Sequence, residues 1–154
     1  MTSQGNAQDH EVFALDTNIL IYAYDRSEGR KHELCRELLE DGFRGEVRCF
    51  VPLQVLSEFY AVVAKGGVGM SKEDALQVIR DILDFPNFIV SGVDAPCLVD
   101  GITFNQKHGA HYWDALICAV MKRSGVSKIY TENSADFSVP GIVAVDPFAG
   151  SSKD

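Results

Sequence analysis

Basic residues are scarce in this chain. Fourteen Lys and Arg stand against twenty-two Asp and Glu, for a net charge of −8. Duplex-DNA binders that work by neutralising phosphates carry the opposite balance. A simple electrostatic clamp on nucleic acid is therefore excluded, although an acidic protein can act on a polyanion when bound cations invert the local charge. The four cysteines, Cys35, Cys49, Cys97 and Cys118, form no C-x-x-C pair. Cys35 and Cys118 lie in helical patterns and Cys49 in a strand-like run, so they read as small buried hydrophobes. Long apolar runs are also missing: stretches such as Ile19–Tyr24 fall far short of the ~20 residues of a membrane span. The first eleven residues are polar and lack the apolar centre of a signal peptide. A cytoplasmic chain is the default expectation. Gly66–Gly67–Val68–Gly69 lacks the Gly-Lys-Ser/Thr ending of a phosphate loop and reads as a flexible connection between helices.

What is present is an ordinary globular composition, with 46% hydrophobic and 23% charged residues over 154 positions, the length of one domain. Val12–Leu15 reads as a short buried strand ending at Asp16. Helices are expected over Thr17–Tyr24 and Arg30–Glu40, the second stopped by Gly42. A strand over Glu46–Val51 leads to Pro52, which opens a helix over Leu53–Lys65. Ser71 caps the next helix, which runs to Asp84 before Pro86. Then come a strand over Asn87–Ser91, helices over Ala95–Lys107 and Tyr112–Arg123, and strands over Lys128–Thr131 and Gly141–Val145. Short strands alternating with helices predict an α/β fold with a central parallel sheet covered by helices on both faces. The expected division is a polar tail over residues 1–11, one domain over 12–148 and a tail over 149–154.

Ligands of open parallel sheets bind beyond the carboxyl ends of the strands. Asp16 sits at such an end, where it can also simply cap the following helix. On the helix from Leu53, the residues Val55, Leu56, Phe59, Val62 and Val63 share one arc, and Glu58 falls about 100° from its centre, at the border of the core. Asp114 lies about 90° from the arc of Trp113, Leu116, Ile117, Val120 and Met121, in a first turn where an acid also complements the helix dipole. Glu132, Asn133 and Asp136 follow the strand at Lys128–Tyr130. Each acid alone has a bland explanation as a cap or a solvated border; together they are less ordinary. His108, His111 and Asp114 spell H-x-x-H-x-x-D, but Gly109 interrupts the helix, so surface histidines are the better reading. Tyr112 and Trp113 could stack on bases, but the apolar helix face places Trp113 in the core.

The motifs Leu15–Asp16–Thr17–Asn18, Ser57–Glu58, Tyr112–Trp113–Asp114–Ala115–Leu116–Ile117, Tyr130–Thr131–Glu132–Asn133 and Asp146–Pro147–Phe148, in that order, resemble the PIN domain. More narrowly they resemble the VapC-type toxins of bacterial toxin–antitoxin pairs, over about Val12 to Phe148. The resemblance implies an endoribonuclease that hydrolyses RNA phosphodiester bonds with a metal-activated water, using Mg²⁺ or Mn²⁺ as cofactor. It also implies a cognate antitoxin protein as partner, and a homodimer. Carried over by position, Asp16, Glu58 and Asp114 are the first three metal-binding and catalytic acids, with Glu58 as ligand or water-orienting base. The fourth position departs from the common Thr-Glu-Asp pattern, since Asn133 stands where an acid is usual. Asp136 before Phe137 fits a second variant of the motif, leaving Thr131, Asn133 and Glu132 as supporting residues. The physics is consistent: like charges ~4 Å apart repel by ~4 kcal/mol at an effective dielectric of ~20, and oxygen donors without a His/Cys set favour Mg²⁺ or Mn²⁺ over Zn²⁺. Two other readings remain open: a catalytically weak PIN-like binding module, and a phospho-receiver domain, which would need adjacent acids after an early strand and a downstream lysine.

Overall fold

The computed structural model describes residues 11–150. The expected N-terminal tail apart from Glu11, and residues 151–154 of the expected C-terminal tail, lie outside the described residues. Five strands form one sheet: β1 (Val12–Leu15), β2 (Arg48–Pro52), β3 (Phe88–Ser91), β4 (Lys128–Tyr130) and β5 (Val143–Val145). Every pairing is parallel, in the order β3-β2-β1-β4-β5. Six helices connect them: α1 (Thr17–Tyr24) and α2 (Arg30–Phe43), α3 (Leu53–Ala64) and α4 (Lys72–Asp84), α5 (Ala95–His108) and α6 (Tyr112–Arg123).

Right-handed crossovers set which face each pair covers. The chain steps from β1 to β2 to β3 in one direction, carrying α1–α4 along one face. It then returns across the sheet to β4, so α5 and α6 cover the other. The strands record this double cover as nearly continuous burial: Phe13, Ala14 and Leu15 in β1 and Cys49, Phe50 and Val51 in β2 are all in the core. The reversal falls beside β1, whose neighbours are β2 and β4. That is the switch point at which open α/β sheets carry their ligand crevice. Leu15 pairs with Tyr130, and the Asp16 N–H donates to the Tyr130 carbonyl at 3.0 Å. Asp16 and Thr131 therefore leave the sheet side by side.

The expected elements are present with small shifts of boundary. Pro52 closes β2 and stands as the cap residue immediately before α3. Ser71 caps α4, accepting from the Asp74 N–H at 3.0 Å. Gly42 does not stop α2, which runs on to Phe43. It is a packing residue: a Cβ there would stand 2.9 Å from Phe88 Cζ and 3.2 Å from Cys49 Sγ. A helix needs no stop at glycine when the missing side chain is what lets it approach a strand. Cys35, Cys49, Cys97 and Cys118 are all buried, and burial pushes the thiols of Cys35, Cys49 and Cys118 up to about 12. They are inert hydrophobes. Among the described residues, no helix is long and apolar enough to cross a membrane.

Candidate active site

Four acids come together at the carboxyl end of the sheet. Asp16, one residue past β1, is 7% exposed and serves as the N-cap of α1, accepting from the Thr17 N–H at 2.7 Å through Oδ1. Its Oδ2 accepts from the Thr131 hydroxyl at 2.7 Å and, at 3.5 Å, from Asn18 Nδ2. The capping role and the site role are thus filled by the same side chain. Glu58 stands at the border of the core on α3, as its helical position predicts. The Thr17 hydroxyl donates to its Oε1, and Gln54 Nε2 donates to its Oε2 at 3.4 Å. Asp114, in the first turn of α6, has His111 Nδ1 3.7 Å from its Oδ2. Asp136 ends a single 3₁₀ turn, Ser134–Asp136, whose Asp136 N–H donates to the Asn133 carbonyl at 2.9 Å.

The electrostatics show the acids acting on one another. Burial raises the Asp16 carboxyl above its ordinary range; the hydrogen bonds from Thr131 and Thr17 pull it down without cancelling the rise, and the charges of Glu58 and Asp136 add to it. Asp114 is pushed up to about 6, first by burial and then by Asp16, with smaller contributions from Asp136 and Glu58, partly offset by His111. Carboxylates raised by burial and by one another are only partly compensated, by His111 at Asp114. The donor set is all oxygen, which suits a hard divalent cation. Among the described residues, no group of three Asp, Glu, His or Cys side chains stands close enough together to hold an ion as the side chains lie.

Glu132 points elsewhere. Its carboxylate accepts from the Tyr22 hydroxyl of α1 and from Lys31 Nζ of α2. Its N–H donates to Asn18 Oδ1 at 3.2 Å. Burial draws this carboxyl up, but the Lys31 and Tyr22 bonds hold it below its ordinary value. Asn133 is exposed, and its N–H donates to the Thr131 hydroxyl at 3.0 Å. In the loop after β4, Thr131 turns to Asp16 and Glu132 to the α1–α2 bracket, while Asp136 is exposed but near enough for its charge to raise Asp16 and Asp114.

Several of these contacts lie beyond what the sequence reveals. Gln54 stands four residues before Glu58 on one helix, a spacing that brings side chains together and could have flagged it. Thr17 follows Asp16 directly, but its bond to Glu58 spans 41 residues. Tyr22 and Lys31 reach Glu132 across 110 and 101 residues, with no local signal. Trp113 corrects an expectation: it is 55% exposed. From Ala115 to Met121 every residue of α6 is buried, so the helix has no solvated side and its apolar periodicity says nothing about exposure. What decides is position along the axis, and the first turn emerges at the cleft. The histidines are as read: His108 ends α5, Gly109 follows in the left-handed conformation at φ 69°, and His111 precedes α6.

Comparison with known proteins decides the family. The family model described as "PIN domain" matches residues 13–140. The chain belongs to the PIN domain family. Solved structures share the PIN fold across almost the whole chain. A toxin–antitoxin complex from Klebsiella pneumoniae is 22% identical with a TM-score of 0.60, covering 88% of this chain and 97% of that one. VapC20 of Mycobacterium tuberculosis, described as a sarcin-ricin loop cleaving toxin, is 19% identical with a TM-score of 0.66, covering 89% and 100%. A DNA-bound VapBC from Salmonella typhimurium is 21% identical with a TM-score of 0.61, covering 90% and 98%. No curated protein matches the chain.

Proposed function

We propose that this PIN domain is a toxin-type endoribonuclease that uses Mg²⁺ or Mn²⁺ to hydrolyse RNA. The observation that carries the reading is the gathering of Asp16, Asp114, Glu58 and Asp136 at the switch point, where burial first and the neighbouring acids second raise the Asp16 and Asp114 carboxyls, offset in part by the Thr131 and Thr17 bonds at Asp16 and by His111 at Asp114. Asp16 and Asp114 are the principal ligands, with Glu58 as ligand or water-orienting base and Asp136 as the fourth acid. Asp16 and Asp114 would hold a divalent ion there, which would supply positive charge to a phosphodiester and lower the pKa of a water. The chain's own residues do the rest. Thr131 and the Thr17 N–H fix the Asp16 carboxylate, while the Thr17 hydroxyl and Gln54 leave Glu58 with little rotational freedom. A carboxylate so oriented can hold a water and take its proton.

The test is RNA cleavage with and without the metal. Cleavage requires Mg²⁺ or Mn²⁺ and stops with chelator, and Asp16→Asn abolishes it while the protein stays folded. Undiminished cleavage by that variant would sink the assignment.

The structural neighbours include toxin–antitoxin complexes, which supports a small antitoxin as partner; the working state proposed with it is a homodimer. The antitoxin segment covers the acidic cleft with a basic side chain, an Arg by geometry, and lays apolar residues in a groove between helices. A cavity of about 780 Å³ between the Tyr24–Ser27 turn, α2 and the Gly66–Met70 connection offers such a groove. Co-expression with the neighbouring open reading frame yields a complex; a harmless chain with no co-purifying partner argues against the toxin role.

A further inference from the structure

We propose that Trp113 is a stacking platform for an unpaired nucleobase of the RNA at the lip of the acidic cleft, an inference that rests on the nuclease reading. Trp113 immediately precedes Asp114 on α6, yet its side chain is 55% exposed, whereas the rest of that helix from Ala115 to Met121 is buried. The indole is braced by the Tyr112 ring, edge-on with centroids 5.0 Å apart. Its backbone is tied to the site: the Trp113 carbonyl accepts from Gln54 Nε2 at 3.3 Å, and the same amide reaches Glu58 Oε2 at 3.4 Å. One bridge therefore fixes both an acid of the cleft and the turn that carries the indole.

The charge balance explains why such a platform is needed. A net charge of −8 gives no general attraction for a polyanion. Several basic side chains are also committed to the chain's own acids: Lys31 to Glu132, Arg36 to Glu40, Arg44 to Asp41, Arg123 to Asp94 and Lys128 to Glu11. Apart from what a bound cation supplies, contacts that do not depend on phosphate neutralisation suit such a surface best. Stacking of a base on an exposed aromatic face is such a contact, tolerant of sequence and available only to unpaired bases. Trp113 and Asp114 share the first turn of α6, so a base on the indole keeps the same strand within reach of the acids.

Trp113 is the only tryptophan, so the fluorescence of the intact protein reports on this position alone. A single-stranded adenosine oligoribonucleotide, added in the presence of chelator, quenches the emission saturably. The same RNA annealed to its complement does not, and the quenching changes little between 50 and 200 mM salt. In cleavage assays with Mn²⁺, Trp113→Ala raises KM about 5- to 150-fold, equivalent to the ~1–3 kcal/mol of one stacked base, and leaves kcat within about twofold. Trp113→Phe restores most of the loss. Emission unmoved by single strands, equal quenching by duplex, or a KM unchanged in Trp113→Ala overturns the proposal. So does a blue shift that grows with protein concentration without RNA, which assigns the indole to a contact with a second copy. If the wild-type protein cleaves no RNA with or without Mg²⁺ or Mn²⁺ while single strands quench, the nuclease reading fails and the platform stands. If cleavage needs metal and Asp16 while Trp113→Ala behaves as wild type, the reverse holds.

Discussion

The Thr131 hydroxyl donates to Asp16 Oδ2 at 2.7 Å, joining residues 115 positions apart at the ends of adjacent strands. Both side chains are buried. The bond is the point where the carboxyl ends of β1 and β4 are locked in register, and it holds down a carboxyl that burial would otherwise raise further.

Replacing Thr131 by Val removes that donor at nearly constant volume. Hydrogen bonds to charged groups contribute about 1.5–3 kcal/mol, so Thr131→Val lowers the midpoint of thermal unfolding at pH 7 by several degrees. Thr131→Ser keeps the donor and loses less. Equal midpoints for Val and wild type would show that the bond contributes nothing to the fold.

The raised Asp114 carboxyl makes the metal-free protein sensitive to pH. Its ordinary value is 3.8 and its folded value about 6, so between these limits the folded state binds more protons than the unfolded state. Stability from this group is fully present below about 3.8 and is lost as pH rises through about 6. Asp16 is shifted in the same direction. The metal-free protein therefore loses stability between pH 5 and pH 7, and Asp114→Asn flattens that slope. Since the ligands must be deprotonated, the thermal shift on adding Mn²⁺ grows over the same interval. Parallel unfolding curves at both pH values, with and without the ion, check both signs.

Asp136 and Glu132 separate in a metal titration. If Asp136 faces the ion, Asp136→Asn relieves repulsion and leaves the metal-free midpoint unchanged or raised, while shrinking the Mn²⁺ shift. A site saturated at ~100 times its dissociation constant is worth ~2.7 kcal/mol, which is readily measured. Glu132→Gln gives the converse. It loses a partly exposed ion pair with Lys31, about 1 kcal/mol or less, and keeps the full Mn²⁺ shift. An undiminished shift in Asp136→Asn leaves the site with three acids.

Gly42→Ala tests the close approach of α2 to the sheet. The new Cβ would meet Phe88 and Cys49 inside contact distance, and overpacking of this kind costs about 1–3 kcal/mol. The expected loss in denaturant midpoint occurs despite the better helix propensity of alanine. A stabilised Ala variant would show that the Phe88 ring moves freely aside.

Much of this was legible in the residues. A buried strand ending in Asp16 announces both a sheet and its ligand-bearing edge, because strand direction and strand-end chemistry are local. Glu58 and Asp114 are visible as acids at the border of an apolar arc, since helical periodicity reports on sides. It does not report on position along the axis, which is why Trp113 was expected in the core and stands at the cleft. Nor does it report on how closely two backbones pack, so Gly42 looked like a stop. Whether Glu132 or Asp136 turns toward the other acids depends on Tyr22 and Lys31, and no spacing within the loop encodes partners a hundred residues away.

The sheet order has a consequence for the timing of synthesis. Because β4 pairs with β1, one edge of the central strand stays open until Lys128–Tyr130 has been made. The 120 residues from Asp16 to Asp136 take roughly 6–24 s to translate at ~5–20 residues per second. Over that interval a nascent chain goes from one of the four acids to three and has no assembled cleft. An enzyme directed against RNA would thus leave the ribosome that makes it, and the message being read, untouched until Asp136 and the strand before it have been made.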